Sequence, residues 1–168
     1  TMISKAKIIW VDDEIELLRP HIIFLEERGY DITPVPNAED AISLIQENVY
    51  DLILLDEMLN GMDGLTALNK IKDINPSLPV IMITKSEEES IMEEAIGGKI
   101  DDYLTKPVNP SQILLSCKKT LESKKIESER LSREYTKEFN QISQALMNPL
   151  TWEEWIQLYV KLTEWEVE

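Results

Sequence analysis

A doubly wound α/β fold of the (βα)5 kind, with a parallel sheet and a small helical extension, is the architecture this sequence predicts. Three observations carry it. Four short runs rich in Ile, Val and Leu (residues 7–11, 51–55, 79–83 and 101–105) have the length and composition of buried strands. Stretches with helical spacing of apolar residues separate them, which calls for parallel pairing. The runs lead to Asp12-Asp13-Glu14, Asp56, Thr84 and Lys106-Pro107. In a parallel sheet, ligands bind outside the carboxyl ends of the strands. Three carboxylates, a hydroxyl and an ammonium are therefore expected in one crevice, the equipment for a divalent cation and a phosphoryl group.

The elements follow in order. After Asp13, the residues Ile15, Leu18, Ile22 and Leu25 share one face of a helix that stops at Gly29, with Pro20 expected to interrupt and kink it. A short strand spans residues 31–35. Asn37 caps a helix carrying Ala38, Ile42 and Ile45. Gly61 and Gly64 flank a loop, and Leu65, Leu68, Ile71 and Ile74 mark the next helix. Ser86-Glu87-Glu88-Glu89 reads as a capping box ahead of Ile91, Met92, Ala95 and Ile96, with Gly97-Gly98 ending that helix. Asn109-Pro110-Ser111-Gln112 opens the last helix of the unit. No internal repeat or low-complexity segment interrupts this order.

Composition narrows the function classes. Against 32 Asp and Glu stand only 17 Lys and Arg, a net charge of -15. Phosphate backbones and anionic lipid surfaces repel such a chain, so neither nucleic acid nor membrane is expected as a partner of this segment. The single cysteine, Cys117, cannot form an internal disulfide, which suits a reducing cytoplasm. The start of the chain carries no signal-like apolar stretch, and Thr1 ahead of Met2 reads as an added residue.

The ordered set Val11-Asp12-Asp13-Glu14, Leu55-Asp56, Met62-Asp63-Gly64, Met82-Ile83-Thr84 and Asp102-Tyr103-Leu104-Thr105-Lys106-Pro107 resembles the receiver domain of two-component response regulators. The resemblance covers residues 5–121 and leaves residues 122–168 as a helical linker or extension. It implies a flavodoxin-like sheet of strand order 2-1-3-4-5. It also implies Mg²⁺ at Asp12, Asp13, Asp56 and the backbone carbonyl of Met58, with Asp56 as the phosphoryl acceptor. Lys106 and Thr84 complete the catalytic set, and Thr84 with Tyr103 forms the switch. The donor implied is a sensor histidine kinase, and the domain is a phosphoacceptor, not an enzyme. Any enzymatic output would lie beyond the chain.

The chemistry suits these residue types. Phosphoryl transfer needs charge neutralisation and in-line positioning more than an acid or base. A hard cation prefers oxygen ligands, and a lysine serves as a flexible point charge. Each residue also has a plainer role. Asp12 and Asp13 can cap the first helix, Lys106-Pro107 can be an ordinary turn, and Tyr103 can be a half-buried packing residue. His21, the only histidine, reads as a helix-face residue without chemical importance. One departure from the family pattern stands out: Leu59-Asn60 replaces a common Met-Pro after Asp56.

Residues 122–130 are nearly all charged or small and read as an exposed helical continuation. Leu131, Tyr135, Phe139, Ile142 and Leu146 then recur as an amphipathic helix, and Asn148-Pro149 breaks the chain. Thr151-Trp152-Glu153-Glu154 is a second capping box, stapled by Leu150 and Trp155. Its helix carries Trp152, Trp155, Tyr159, Leu162 and Trp165 as a broad apolar face suited to a homodimer on phosphorylation or to docking on an output domain. From residue 120 on, six basic side chains against ten acidic ones exclude a basic recognition helix. This stretch is similar to the PorX-type subset of response regulators, which carry a carboxyl-terminal PglZ domain. On that resemblance the chain is the amino-terminal portion of a longer protein.

Two other classes remain beside the phosphorylated switch. A haloacid-dehalogenase-type phosphatase needs an Asp-x-Asp motif after its first strand, and Asp12-Asp13-Glu14-Ile15 does not supply it. A pseudo-receiver acting by contact alone has no need of the full set of Asp12, Asp13, Asp56, Thr84 and Lys106.

Overall fold

The computed structural model describes residues 5–85, 93, 97–147 and 151–167, with side chains through Glu164. The strands are β1 (Ala6–Val11), β2 (Tyr30–Val35), β3 (Leu52–Asp56), β4 (Val80–Thr84) and β5 (Asp102–Thr105). They form one parallel sheet in the order β2-β1-β3-β4-β5. The helices are α1 (Arg19–Glu26), α2 (Ala38–Glu47), α3 (Gly64–Ile74), α4 (Pro110–Met147) and α5 (Trp152–Val167). The expected helix over residues 86–96, with its capping box at Ser86, lies outside the described residues apart from Glu93. So do Asn148, Pro149 and Leu150.

The continuous apolar runs make sense once both faces of the sheet are counted. Along a strand, successive side chains point to opposite sides. Ile9, Val11, Ile53, Leu55, Val80 and Met82 pack on one face with Ala41, Ile45, Leu68 and Ile71 from α2 and α3. Ile8, Trp10, Leu52, Leu54, Ile81 and Ile83 pack on the other with Ile22 and Leu25 from α1 and Ile113 and Cys117 from α4. A strand covered on both sides has no polar face to alternate with.

The chain forms two compact units, residues 1–124 and 125–168. In the second, Ile142 of α4 and Leu158 of α5 are each 7% exposed and help line a common cavity of about 190 Å³. The expected apolar face from Leu131 to Leu146 is otherwise uncovered: Leu131, Tyr135, Phe139 and Leu146 are exposed. The opening of α5 follows its sequence signal. Thr151 Oγ1 accepts from the Glu154 N–H at 3.2 Å, and the Glu154 carboxylate accepts from the Thr151 N–H at 3.4 Å.

Other boundaries differ from expectation for local reasons. Pro20 does not interrupt a helix. Ile15–Leu18 form a 3₁₀ turn, and α1 begins at Arg19 with Pro20 in its first turn, where its missing N–H costs nothing. Asp51 and Asp101 stand just outside their strands. The Asp51 carboxylate accepts from the Lys7 N–H at 2.7 Å, and that of Asp101 from the Val80 N–H at 2.9 Å. Each acid thus pairs with the start of a neighbouring strand through its side chain and its backbone, the Asp51 N–H donating to the Lys7 carbonyl and the Asp101 N–H to the Val80 carbonyl, both at 2.8 Å.

Candidate phosphoryl-acceptor site

Register brings the site together. Val11 pairs with Leu55, so the next residues, Asp12 and Asp56, stand side by side at the carboxyl edge of the sheet. Asp56 pairs with Ile83, and Thr84 with Thr105, which places Thr84 and Lys106 at the same edge. The Lys106 N–H donates to the Thr84 carbonyl at 2.7 Å, fixing the start of the loop after β5. The Lys106–Pro107 peptide bond is cis.

Lys106 is the centre of the arrangement. Its Nζ lies 3.1 Å from Asp12 Oδ2 and 3.1 Å from Asp56 Oδ2. The two aspartates are nearly inaccessible, 1% and 2% exposed, whereas Asp13 is exposed. Burial pushes the Asp56 carboxyl above its ordinary range. The Lys106 hydrogen bond opposes that rise, and the nearby Asp12 charge adds to it. Burial alone would pull Lys106 down, but its hydrogen bonds to Asp12 and Asp56 reverse the sign and raise it. The lysine is held by hydrogen bonds between two buried carboxyl groups.

The carboxylates are also aimed. Asp12 Oδ1 accepts from the Glu14 N–H at 2.8 Å, so it does cap the turn that follows, and its other oxygen faces Lys106. Asp56 Oδ1 accepts from the Met58 N–H at 3.2 Å, which brings the loop after β3 back over the acid. One oxygen each from Asp12, Asp13 and Asp56 lies within 4.8 Å of the others. An all-oxygen, anionic donor set of this size suits a small hard cation that keeps several waters, as Mg²⁺ does. The cavity above them, about 280 Å³, is lined by Asp13, Asp56, Glu57, Met58, Lys85 and Lys106, among others.

Thr84 is fully buried and near the cluster, but its hydroxyl is turned elsewhere: Oγ1 donates to Glu57 Oε2 at 2.5 Å. Tyr103 is half-buried, packed against the α2 and α3 side of the core. Two contacts went unread in the sequence. Glu57 follows a strand end, where periodicity no longer sets side-chain direction. His21 is more than a helix-face residue: its Nε2 lies 3.0 Å from the Val108 carbonyl, and its ring meets Trp10 edge-on at 6.4 Å. Those groups line a larger groove of about 570 Å³ that also reaches Asp12 and Lys106.

The family model for the response regulator receiver domain matches residues 8–118, and that for the PorX response regulator linker domain matches residues 125–168. The chain is 36% identical over 118 residues to the transcriptional regulatory protein ResD of Bacillus subtilis (strain 168), covering 70% of this chain and 49% of the relative. It is 36% identical over 115 residues to SrrA of Staphylococcus aureus (strain NCTC 8325 / PS 47), covering 68% and 47%. The chain thus spans about half the length of the curated relatives it matches. Among solved structures, a CheY-like receiver domain protein of Methanospirillum hungatei JF-1 superposes with a TM-score of 0.69 at 28% identity, covering 74% of this chain and 99% of that one. A two-component response regulator from Clostridium difficile gives 0.65 at 33% identity, covering 70% and 97%.

Proposed function

We propose a function from one premise: the chain belongs to the response regulator receiver domain family. Residues 125–168 carry the linker of the PorX-type subset. On that footing Asp56 is the phosphoryl acceptor, and a sensor histidine kinase is the donor. A carboxylate oxygen of Asp56 attacks phosphorus in line, an O–P bond forms, and the N–P bond of the donor phosphohistidine breaks. The electron pair leaves with the imidazole nitrogen. The observation that carries this reading is Lys106, held at 3.1 Å from both Asp12 and Asp56 at the carboxyl edge of the sheet.

Each side chain has a task in that transfer. Lys106 offsets the charge of Asp56 before attack and follows a phosphoryl oxygen after it, as a flexible point charge is able to do. Asp12, Asp13 and Asp56, with the Met58 carbonyl, are the residues that would hold Mg²⁺. The cation supplies positive charge against the phosphoryl oxygens. Thr84 donates its hydroxyl proton to one of those oxygens, and Tyr103 turns inward as Thr84 moves. The added charge and acceptor oxygens bias a two-state surface without refolding the domain. The changed surface acts by homodimerisation or by contact with an output domain through residues 122–168.

Mass spectrometry after treatment with acetyl phosphate and Mg²⁺ tests the assignment. One added phosphoryl group is expected, absent with EDTA and absent in Asp56→Asn. Labelling that persisted in Asp56→Asn would refute it.

A further inference from the structure

We propose that Glu57 is a positioning residue of this phosphorylation site: its carboxylate holds the Thr84 hydroxyl proton in the resting state and so sets how readily a phosphoryl group is accommodated on Asp56. The inference rests on the reading of Asp56 as acceptor and of Thr84 as a ligand of the bound phosphoryl group.

The geometry is specific. Thr84 is fully buried, and its Oγ1 donates to Glu57 Oε2 at 2.5 Å. A hydroxyl has one proton to donate, so Glu57 and a phosphoryl oxygen compete for it. A hydrogen bond to a carboxylate is among the stronger kinds, and giving it up is a cost that phosphorylation must cover. Glu57 can follow Thr84 only through its side-chain torsions, because its backbone is pinned on both sides. Its N–H donates to the Ile83 carbonyl at 3.0 Å, and its carbonyl accepts from the Gly64 N–H at 2.8 Å. A Cβ on Gly64 would stand 2.6 Å from the Glu57 Cα, which shows how closely the loop is pressed against this residue. The anchor stays and the hydroxyl leaves.

Glu57 also lines the acidic cavity, so its charge alone would disfavour an anionic ligand. The two effects separate in a double-mutant cycle, because only the first passes through Thr84. The probe is beryllofluoride with Mg²⁺, titrated into the full chain and followed by fluorine NMR. Glu57→Ala should bind it about ten- to a hundredfold more tightly than the wild type, the range for releasing a charge-assisted hydrogen bond. Glu57→Gln, which keeps a neutral acceptor, should fall between. In a Thr84→Ala background the effect of Glu57→Ala should shrink to about twofold or less. Equal gains in both backgrounds would overturn the proposal in favour of simple charge repulsion. No gain in either Glu57 variant, each checked as folded by circular dichroism, would overturn it outright. A wild type that bound no beryllofluoride would instead remove the acceptor reading beneath it.

Discussion

At Asp56, burial works against the charge that the proposed phosphoryl transfer requires. The carboxyl is raised above its ordinary value first by loss of solvent, with the Asp12 charge adding to it and Lys106 opposing. A carboxyl whose pKa rises on folding holds its proton more tightly in the fold than in the unfolded chain. The ionised form is therefore kept at neutral pH at the expense of stability. Functional sites commonly carry such strain. Asp56→Asn should raise the thermal midpoint at pH 7 in EDTA. Millimolar Mg²⁺ should then raise the wild-type midpoint more than that of the variant, since a ligand that binds the folded state stabilises it. A scanning-fluorimetry series checks both signs, and a variant less stable than wild type in EDTA contradicts the account. At this scale Asp12, Asp13, Asp56, Thr84 and Lys106 were legible because each sits at a strand end, where the fold itself dictates the neighbourhood. The Glu57–Thr84 bond and the His21–Val108 contact were not. The first depends on a side chain in a loop, and the second joins residues 87 positions apart.

Elements show the same division between local and non-local causes. The caps were partly readable: Asn37 accepts from the Asp40 N–H at 2.8 Å as expected, and Asp63 caps α3 in the same way through Thr66. The apolar spacing of Ile15, Leu18, Ile22 and Leu25 runs unbroken across Pro20 and so predicts one helix kinked at that proline, where the structure has a 3₁₀ turn followed by α1. Ile15 and Leu18 are three residues apart, a spacing that a 3₁₀ turn satisfies as well as an α-helix does. Gly64 carries the sharpest element-level consequence. A Cβ there would lie 2.5 Å from the Asp56 carbonyl oxygen and 2.6 Å from the Glu57 Cα, both backbone atoms that cannot swing aside. Gly64→Ala should cost about 1–3 kcal/mol in urea unfolding, typical of overpacking. It should also weaken beryllofluoride binding, because the displaced strand end carries Asp56, the proposed acceptor. A variant of wild-type stability would mean that the start of α3 yields more easily than its contacts imply.

For the whole molecule, charge and exposed aromatic surface pull in opposite directions. A net charge of -15 opposes self-association. In the second unit, Trp152, Trp155, Ile156 and Tyr159 line an apolar groove of about 580 Å³, and Trp152 is 84% exposed. Exposed apolar surface of that kind is a common feature of contact sites. If phosphorylation drives homodimerisation, sedimentation should show a monomer alone and a dimer with beryllofluoride and Mg²⁺. The dimer should strengthen from about 20 to about 200 mM salt as repulsion is screened. A monomer under all conditions at high micromolar concentration would leave docking to an output domain. Sequence patterning identified this aromatic face and the apolar stripe of α4 from Leu131 to Leu146, of which Leu131, Tyr135, Phe139 and Leu146 are exposed. Amphipathic spacing states which residues share a face, and only a packed neighbour decides whether that face is hidden.

Cys117 lies fully buried on α4, its thiol pushed up to about 12 by loss of solvent. Thiolate is the reactive form, so at neutral pH the native side chain should react little with maleimides while the fold is intact. Because it is the chain's single cysteine, the wild-type sequence already serves as a blank background for site-directed labelling. A cysteine placed on α2 and another on α5 can each take a spin label or a dye without first engineering the native one away. Distances between the two units, with and without beryllofluoride, then become directly measurable.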